Sequence, residues 1–448
     1  MAEAKQESRT AALARRLRDH VHPLASEDDA LEPLLAQIGE ARYVLLGEAS
    51  HGTHEFYELR AALTKRLIRD KGFSIVAVEG DWPDAYRVNR FLRGAGTDRT
   101  AREALTGFQR FPTWMWRNEV VLELVEWLRA HNRTAMRQVG FYGIDLYSLH
   151  ASIDAVLQYL EQTDPALARD ARTRYGCFEA FGDDPQRYGY ATSFGYLPSC
   201  EQEVVEQLLS MHERLREAAL GDGMDAADEL FFAEQNARVV KNAEEYYRAM
   251  FRGGIASWNL RDTHMADTVD ALAAHFGQRD AGAKIIVWAH NSHLGDARTT
   301  ELGAQGELNL GQLVRERHPG ESFVLGFTTY EGTVTAATDW DQPAKTMRVR
   351  PGLRDSTERL FHETEIPRFL LVPKATPLVE ALSTPRLQRA IGVVYAPETE
   401  RASHYYHTQI ARQFDVVVHI DETHAVTPLE RASRHEAGEL PETYPSGM

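Results

Sequence analysis

LLGEASHGTHEFYELR, residues 45–60, crowds glutamates, two histidines and an arginine into one turn and the start of a helix. The apolar run YVLL at 43–46 leads into it. Apolarity without alternation marks a strand buried on both faces. Beyond the turn, Phe56, Leu59, Leu63 and Leu67 fall on one stripe at helical spacing. Strand, polar turn and amphipathic helix in succession open a βαβ unit.

The pattern recurs outward from there. SIVAVEG (74–80), VGFYGID (139–145), KIIVWAH (284–290), SFVLGFTT (322–329), RFLLVP (368–373), IGVVYAP (391–397) and FDVVVHI (414–420) read as further strands, with helical patterns between them. The expected fold class is α/β, a largely parallel sheet flanked by helices. Residues 1–150 and 276–448 read as the two halves of the α/β core, and 151–275 as a mostly helical insertion. In that insertion Val239, Ala243, Tyr246, Tyr247 and Met250 share a face, and a second helix runs through SWNLRDTHMADTVDALAAHF with Asn259 as its expected N-cap. VLLGEASHGTH and VWAHNSHLGDA each set two histidines three residues apart after an apolar run. Two pseudo-repeated βαβ halves would bring those four histidines together; chance spacing of common residues is the alternative.

Composition bounds the function. The chain has 448 residues, 43% of them apolar, enough for a large core. A net charge of −16 repels phosphate backbones, so no nucleic acid partner is expected. The N-terminus lacks a continuous apolar segment and reads as an amphipathic helix. No run approaches the ~20 apolar residues of a membrane span. Cys177 and Cys200 are too few for a disulfide framework, and no C-x-x-C occurs. A cytoplasmic protein without structural zinc is the expectation, with a frayed polar tail after Leu429.

In parallel α/β sheets, ligands bind beyond the carboxyl ends of the strands. Four such ends carry ionisable groups: Glu48 and His51, Glu79 and Asp81, Asp145, and His290 and His293. Singly each has an ordinary explanation. Glu48 can favour a helix dipole, Arg60 can pair on the surface with Glu55 or Glu58, and Asn291 can bend a turn. Jointly they look like a site. No G-x-S-x-G, G-x-G-x-x-G or P-loop accompanies them. Water activated by histidine and carboxylate remains. A divalent metal on His51, His290 and His293 is the competing arrangement, although no H-E-x-x-H is present.

LLGEASHGTHEFYELR, VAVEGDWP, SWNLRDTHM and WAHNSHLGDAR together resemble the erythromycin esterase family, from Tyr43 into QFDVVVHIDET. The resemblance implies hydrolysis of a carboxylic ester or lactone, of macrolide type in some members. It makes His51 the general base and Glu48 its acidic partner. Arg60 becomes the site arginine, Glu79 the second glutamate, and His290 and His293 the later histidine pair. Arg60 with one of those histidines would steady the oxyanion. It favours a mechanism with no cofactor and no tightly held metal. Substrate contacts are expected from His54, Trp82, Asp145, His404 and Tyr405, with Tyr406, Trp114, Trp116 and Trp258 as further candidates for the cleft. The partner expected is a small ester or lactone; the oligomeric state is left open. A metal-dependent hydrolase and a non-catalytic small-ligand binder are the alternatives.

Overall fold

The computed structural model describes residues 2–430 apart from 27, 183, 219–223, 252 and 278–281. The polar tail expected to fray lies almost wholly outside the described residues. Eleven strands are present among them: β1 (His22–Pro23), β2 (Tyr43–Leu46), β3 (Ile75–Asp81), β4 (Gly140–Asp145), β5 (Ile285–Trp288), β6 (Ser322–Ala336), β7 (Lys345–Val349), β8 (Arg368–Leu371), β9 (Arg386–Arg389), β10 (Tyr405–Thr408) and β11 (Val416–Thr423). Nine form one sheet in the order β1-β8-β11-β6-β2-β5-β3-β4, with β7 paired to β6. The six strands from β11 to β4 run parallel. β1, β7 and β8 add antiparallel pairings. β9 and β10 make a separate antiparallel pair.

Apolar runs form these parallel strands because both faces are covered. Val44, Leu46, Val76, Val78, Ile286 and Trp288 point to one face, where helices His54–Lys71 and Glu119–Asn132 pack with Leu59, Leu63, Leu124 and Leu128. Tyr43, Leu45, Ile75, Ala77, Ile285 and Val287 point to the other, against Met265 and Val269 of helix Gly254–Gly277 and Leu310 and Val314 of helix Leu310–Arg317. Each large apolar side chain so buried contributes about 1.5–3 kcal/mol. Between β4 and β5 the described residues are helical, and their own apolar cluster joins Leu149, Val156, Val240, Tyr246 and Tyr247. No described helix is long and apolar enough to cross a membrane.

β2 and β5 are neighbours at the centre of the sheet. Each βαβ unit therefore steps across the first strand of the other: β2 to β3 over β5, and β5 to β6 over β2. The two halves interleave rather than face each other, which sets the β2 and β5 turns side by side.

Three expectations change. IGVVYAP is not a strand of the sheet; it makes single bridges from Ile391 to Ser50 and from Val394 to Ala337. Its backbone bonds are divided: Ile391 N donates to Ala49 O (3.0 Å) and Ile391 O accepts from His51 N (3.3 Å) in the β2 turn, while Val393 O accepts from Ala337 N and Tyr395 N donates to Ala337 O. Asn259 is not an N-cap, because its helix begins at Gly254. Its side chain instead accepts from Leu308 N (2.9 Å) and donates to Gly306 O (3.0 Å). The two cysteines, too few for a framework, are joined as one Cys177–Cys200 disulfide within the helical region.

The β2 turn tolerates no side chain at Gly52, where a Cβ would stand 1.8 Å from the Thr335 carbonyl oxygen. Backbone cannot swing aside as a side chain can. Gly52→Ala is expected to destabilise the fold by about 1–3 kcal/mol in denaturant melts, the range for overpacking a tight interior. A melt matching wild type would show that the β2 turn is looser than described.

Candidate active site

β2 stops at Leu46, and Gly47 turns the chain beneath Asn291, whose Oδ1 would lie 2.2 Å from any Cβ there. Asn291 N donates to Glu48 O (2.8 Å), tying the two central strand ends together. The Glu48 carboxylate is 2% exposed and has two partners. His51 Nδ1 lies 2.9 Å from one oxygen, and Arg60 Nη2 donates to the other at 2.6 Å. Arg60 is completely buried, with its guanidinium 4.4 Å from the Tyr57 ring and 4.5 Å from that of Trp288. Removing one partner from such a buried ion pair costs about 3–5 kcal/mol. An ionised carboxylate only accepts, so His51 Nδ1 carries the proton and Nε2 keeps its lone pair. Tyr57 Oη donates to His51 O at 2.7 Å and fixes the backbone beneath the ring.

Glu79 ends β3 on the other side of that ring, 4.0 Å from His51 Nε2. Its Oε2 accepts from His290 N (2.8 Å) and its Oε1 from Arg261 Nη2 (2.8 Å). Burial alone would push its carboxyl up; His293 and Arg261 together hold it well below the usual carboxylate range. Arg261 also grips Asp145 with Nε (3.0 Å) and Nη2 (2.7 Å). Against burial, that grip lowers Asp145. The cation stays charged, its pKa raised well above normal by Asp145 and neighbouring groups despite desolvation.

The two later histidines differ in protonation. Ser292 N donates to His290 Nδ1 at 3.2 Å, so Nδ1 is an acceptor. Burial holds the His290 pKa well below normal. His290 is thus neutral with its proton on Nε2, beside the Ala49 carbonyl, and its ring centroid is 5.0 Å from that of His51. His293 lies between carboxylates, with Nδ1 2.9 Å from Asp262 and Nε2 3.3 Å from Glu79. Burial opposes its charge, but Asp262 and Glu79 raise its pKa to about 9. Trp258 stacks on it at 4.6 Å. Both N–H groups of this imidazolium are engaged, so it braces Glu79.

Of these groups His51, Glu79, Asp145 and Arg261 open on a cavity of about 70 Å³, and Glu48, His290 and His293 stand behind its wall. His51, Glu79, Asp81, Asp84, Asp145, Arg110 and Arg261 form its polar wall; Phe108, Phe111, Met115, Trp116 and Trp340 form an apolar cover. The structure therefore brings together His51, Glu48, Glu79, Asp145, His290 and His293. Arg60 stands behind Glu48 and does not line the cavity.

The remaining candidates lie elsewhere. His54 starts the following helix and faces solvent near Glu58, at 3.7 Å. Trp82 is core, stacked on Tyr142 and Phe232. His404 accepts from Ala396 N at 2.9 Å, and Tyr405 Oη from Leu353 N at 3.3 Å. Both flank the buried Arg389 and do not line the cavity; Tyr406 is buried as well. Trp114 packs on Phe111, whereas Trp116 does line the cavity. Sequence reasoning missed Arg261, Asp262, Arg110 and Asp84 as site groups. Arg261 had a signal, since it shares a helical stripe with Met265, Val269 and Leu272.

The His293 charge links to stability with a definite sign. Its folded pKa, about 9, exceeds the ~6.5 of an unfolded chain. The stabilisation it provides is complete below pH ~6.5 and fades as pH rises through about 9. The gap in melting temperature between wild type and His293→Gln is expected to shrink over that window. A gap independent of pH would mean that His293 is not charged in the fold.

Comparison with known proteins agrees with this framework. Residues 68–423 match the sequence model of the family described as erythromycin esterase, a span that begins after the His51 turn. Erythromycin esterase type II of Escherichia coli is 27% identical over 70% of this chain and 75% of its own length. The type I enzyme of Escherichia coli is 25% identical over 68% and 74%. A solved Bacillus cereus protein superposes with a TM-score of 0.74 at 20% identity, covering 94% of this chain and 99% of its own. A mutant of the erythromycin esterase EreC, in its open conformation, superposes at 0.63 with 18% identity over 90% and 96%. From the match over most of its length, the chain belongs to the erythromycin esterase family.

Proposed function

We propose that this protein hydrolyses a carboxylic ester or lactone by attack of a water molecule that His51 deprotonates. One observation carries the reading: the Nδ1 side of His51 is held by Glu48, itself clamped by Arg60, while the bare Nε2 faces the cavity and Glu79. A base so oriented accepts a proton without a rotamer change. Glu48 and Glu79 then stabilise the imidazolium that forms. Arg60, fully buried behind Glu48, acts as a positioning residue. Two cations line the cavity; Arg110 is paired with Asp81, and Arg261, beside Glu79, takes the oxyanion-stabilising role that Arg60 cannot reach.

The metal alternative lacks its donors. Both His293 nitrogens face carboxylates and His290 Nδ1 accepts from Ser292, so the three imidazoles present no common set of lone pairs. Among the described residues no three His, Cys, Asp or Glu side chains converge as a ligand group. Substrate size follows from the cavity. Drug-sized ligands occupy about 300 Å³ or more, against about 70 Å³ here. The reacting ester and a small flank fit; a macrolide of the kind named for the relatives requires the cover around Phe108 and Trp116 to be displaced.

The test is a panel of small esters, lactones and macrolides, run with wild type and His51→Ala, with and without chelator. Turnover by the variant is expected to fall about 10²–10⁴-fold, the contribution of a positioned general base, with near-UV circular dichroism retained. Undiminished turnover would remove His51 as base. Loss on chelation, restored by added metal, would favour the metal-dependent reading.

A further inference from the structure

Four carboxylates face the cavity beside His51: Glu79, Asp81, Asp84 and Asp145. Three are neutralised. Glu79 and Asp145 share Arg261, at 2.8 and 2.7 Å, and Asp81 accepts from Arg110 Nε at 3.0 Å. Asp84 has no hydrogen-bond or ion-pair partner among the described residues. Arg87, one turn further along helix Trp82–Arg93, is turned away to Asp98, with bonds of 2.9 and 2.7 Å. Asp84 Oδ1 lies instead 3.5 Å from where a Cβ on Gly107 would stand, next to Phe108 of the apolar cover.

A carboxylate left without a cation in a half-closed cavity has its pKa raised. Burial, then the charge of Asp81, raise Asp84 to about 8, against the weaker pull of Arg110 and Arg87. Glu79, Asp145, His51, Tyr147 and Arg261 are the other charged or titratable groups on the cavity wall. Carboxyls driven apart in this way divide into acid and base roles. His51 is a poor candidate to return its own proton, because Glu48 at 2.9 Å and Glu79 at 4.0 Å stabilise its imidazolium.

We propose that Asp84 is the general acid that protonates the departing alkoxide oxygen, the counterpart of His51 as general base. This rests on the hydrolytic reading above. In the first step, water loses one proton to His51 Nε2 as its oxygen bonds to the acyl carbon, and the carbonyl electrons move onto oxygen. In the second, the carbonyl re-forms, the acyl carbon–alkoxy oxygen bond breaks, and that oxygen takes the proton of Asp84. Acid and alcohol leave. The imidazolium loses its proton to solvent and the Asp84 carboxylate gains one, which restores the starting state.

The experiment compares an ethyl ester or a simple lactone with a 4-nitrophenyl ester, whose leaving group departs without protonation, in wild type and Asp84→Asn. The alkyl-to-aryl ratio of kcat is expected to fall about 100-fold in the variant. Wild-type kcat/KM on the alkyl ester should decline as pH rises through about 8, and the variant should lack that limb. The residual aryl activity reports a folded variant. A ratio within about threefold of wild type, or a limb that persists, overturns the role of Asp84 alone. Absence of ester turnover by wild type overturns the hydrolytic reading itself.

Discussion

The Glu48 carboxylate does two jobs with two oxygens. One orients His51 and sets its tautomer; the other is neutralised by Arg60. Neither job is separable from the core, since Arg60 lies between the Tyr57 and Trp288 rings and Trp288 belongs to the neighbouring central strand. An ion pair this deep is favourable only with near-ideal geometry. The geometry comes from the sheet: β2 and β5 pair in register from Tyr43↔Ile285 to Leu46↔Trp288, and their turns are joined by the Asn291–Glu48 backbone bond.

A second layer depends on that clasp. Once the β5 turn is in place, His290 N bonds Glu79, and helix Gly254–Gly277 brings Arg261 and Asp262 to the same carboxylate and to His293. Charge alternates through the cluster, Asp262, His293, Glu79, Arg261, Asp145, and each member suppresses the desolvation cost of the next. The cavity inherits a wall whose carboxylates are fixed, so chemistry is left to groups with a spare lone pair or a spare proton.

Much of this was legible from residue order. Glu48, His51, Glu79, Asp145, His290 and His293 stand where apolar runs break off, and strand ends of a parallel sheet converge on one edge. His54 has the same spacing from His51 as His293 has from His290, yet it opens a helix and turns outward. Spacing alone does not report that difference. Arg261 escaped because a helix interior conceals chemistry: an arginine aligned with Met265 and Val269 reads as an imperfect apolar stripe. His404 and Tyr405 were misplaced together with IGVVYAP, whose β-branched composition suits a strand although its hydrogen bonds go to the β2 turn and to Ala337. β7 was invisible for the opposite reason, being an exposed strand rich in charge. Trp82 illustrates the ambiguity of tryptophan, which fills a core as readily as it lines a cleft.

The interleaved order of the central strands also governs how the protein comes into being. β2 is made early but is flanked on both sides by β5 and β6, which emerge from the ribosome much later. Glu79 meets the His290 amide across 211 residues and Arg261 across 182. Contacts so remote close slowly, and an apolar strand waiting for both neighbours exposes surface that invites aggregation. A nascent chain short of β6 already carries Glu48, His51, Glu79, Arg261 and both later histidines, but β2 still lacks one of its two neighbours. The cluster around His51 therefore closes only after the far half of the chain has been made.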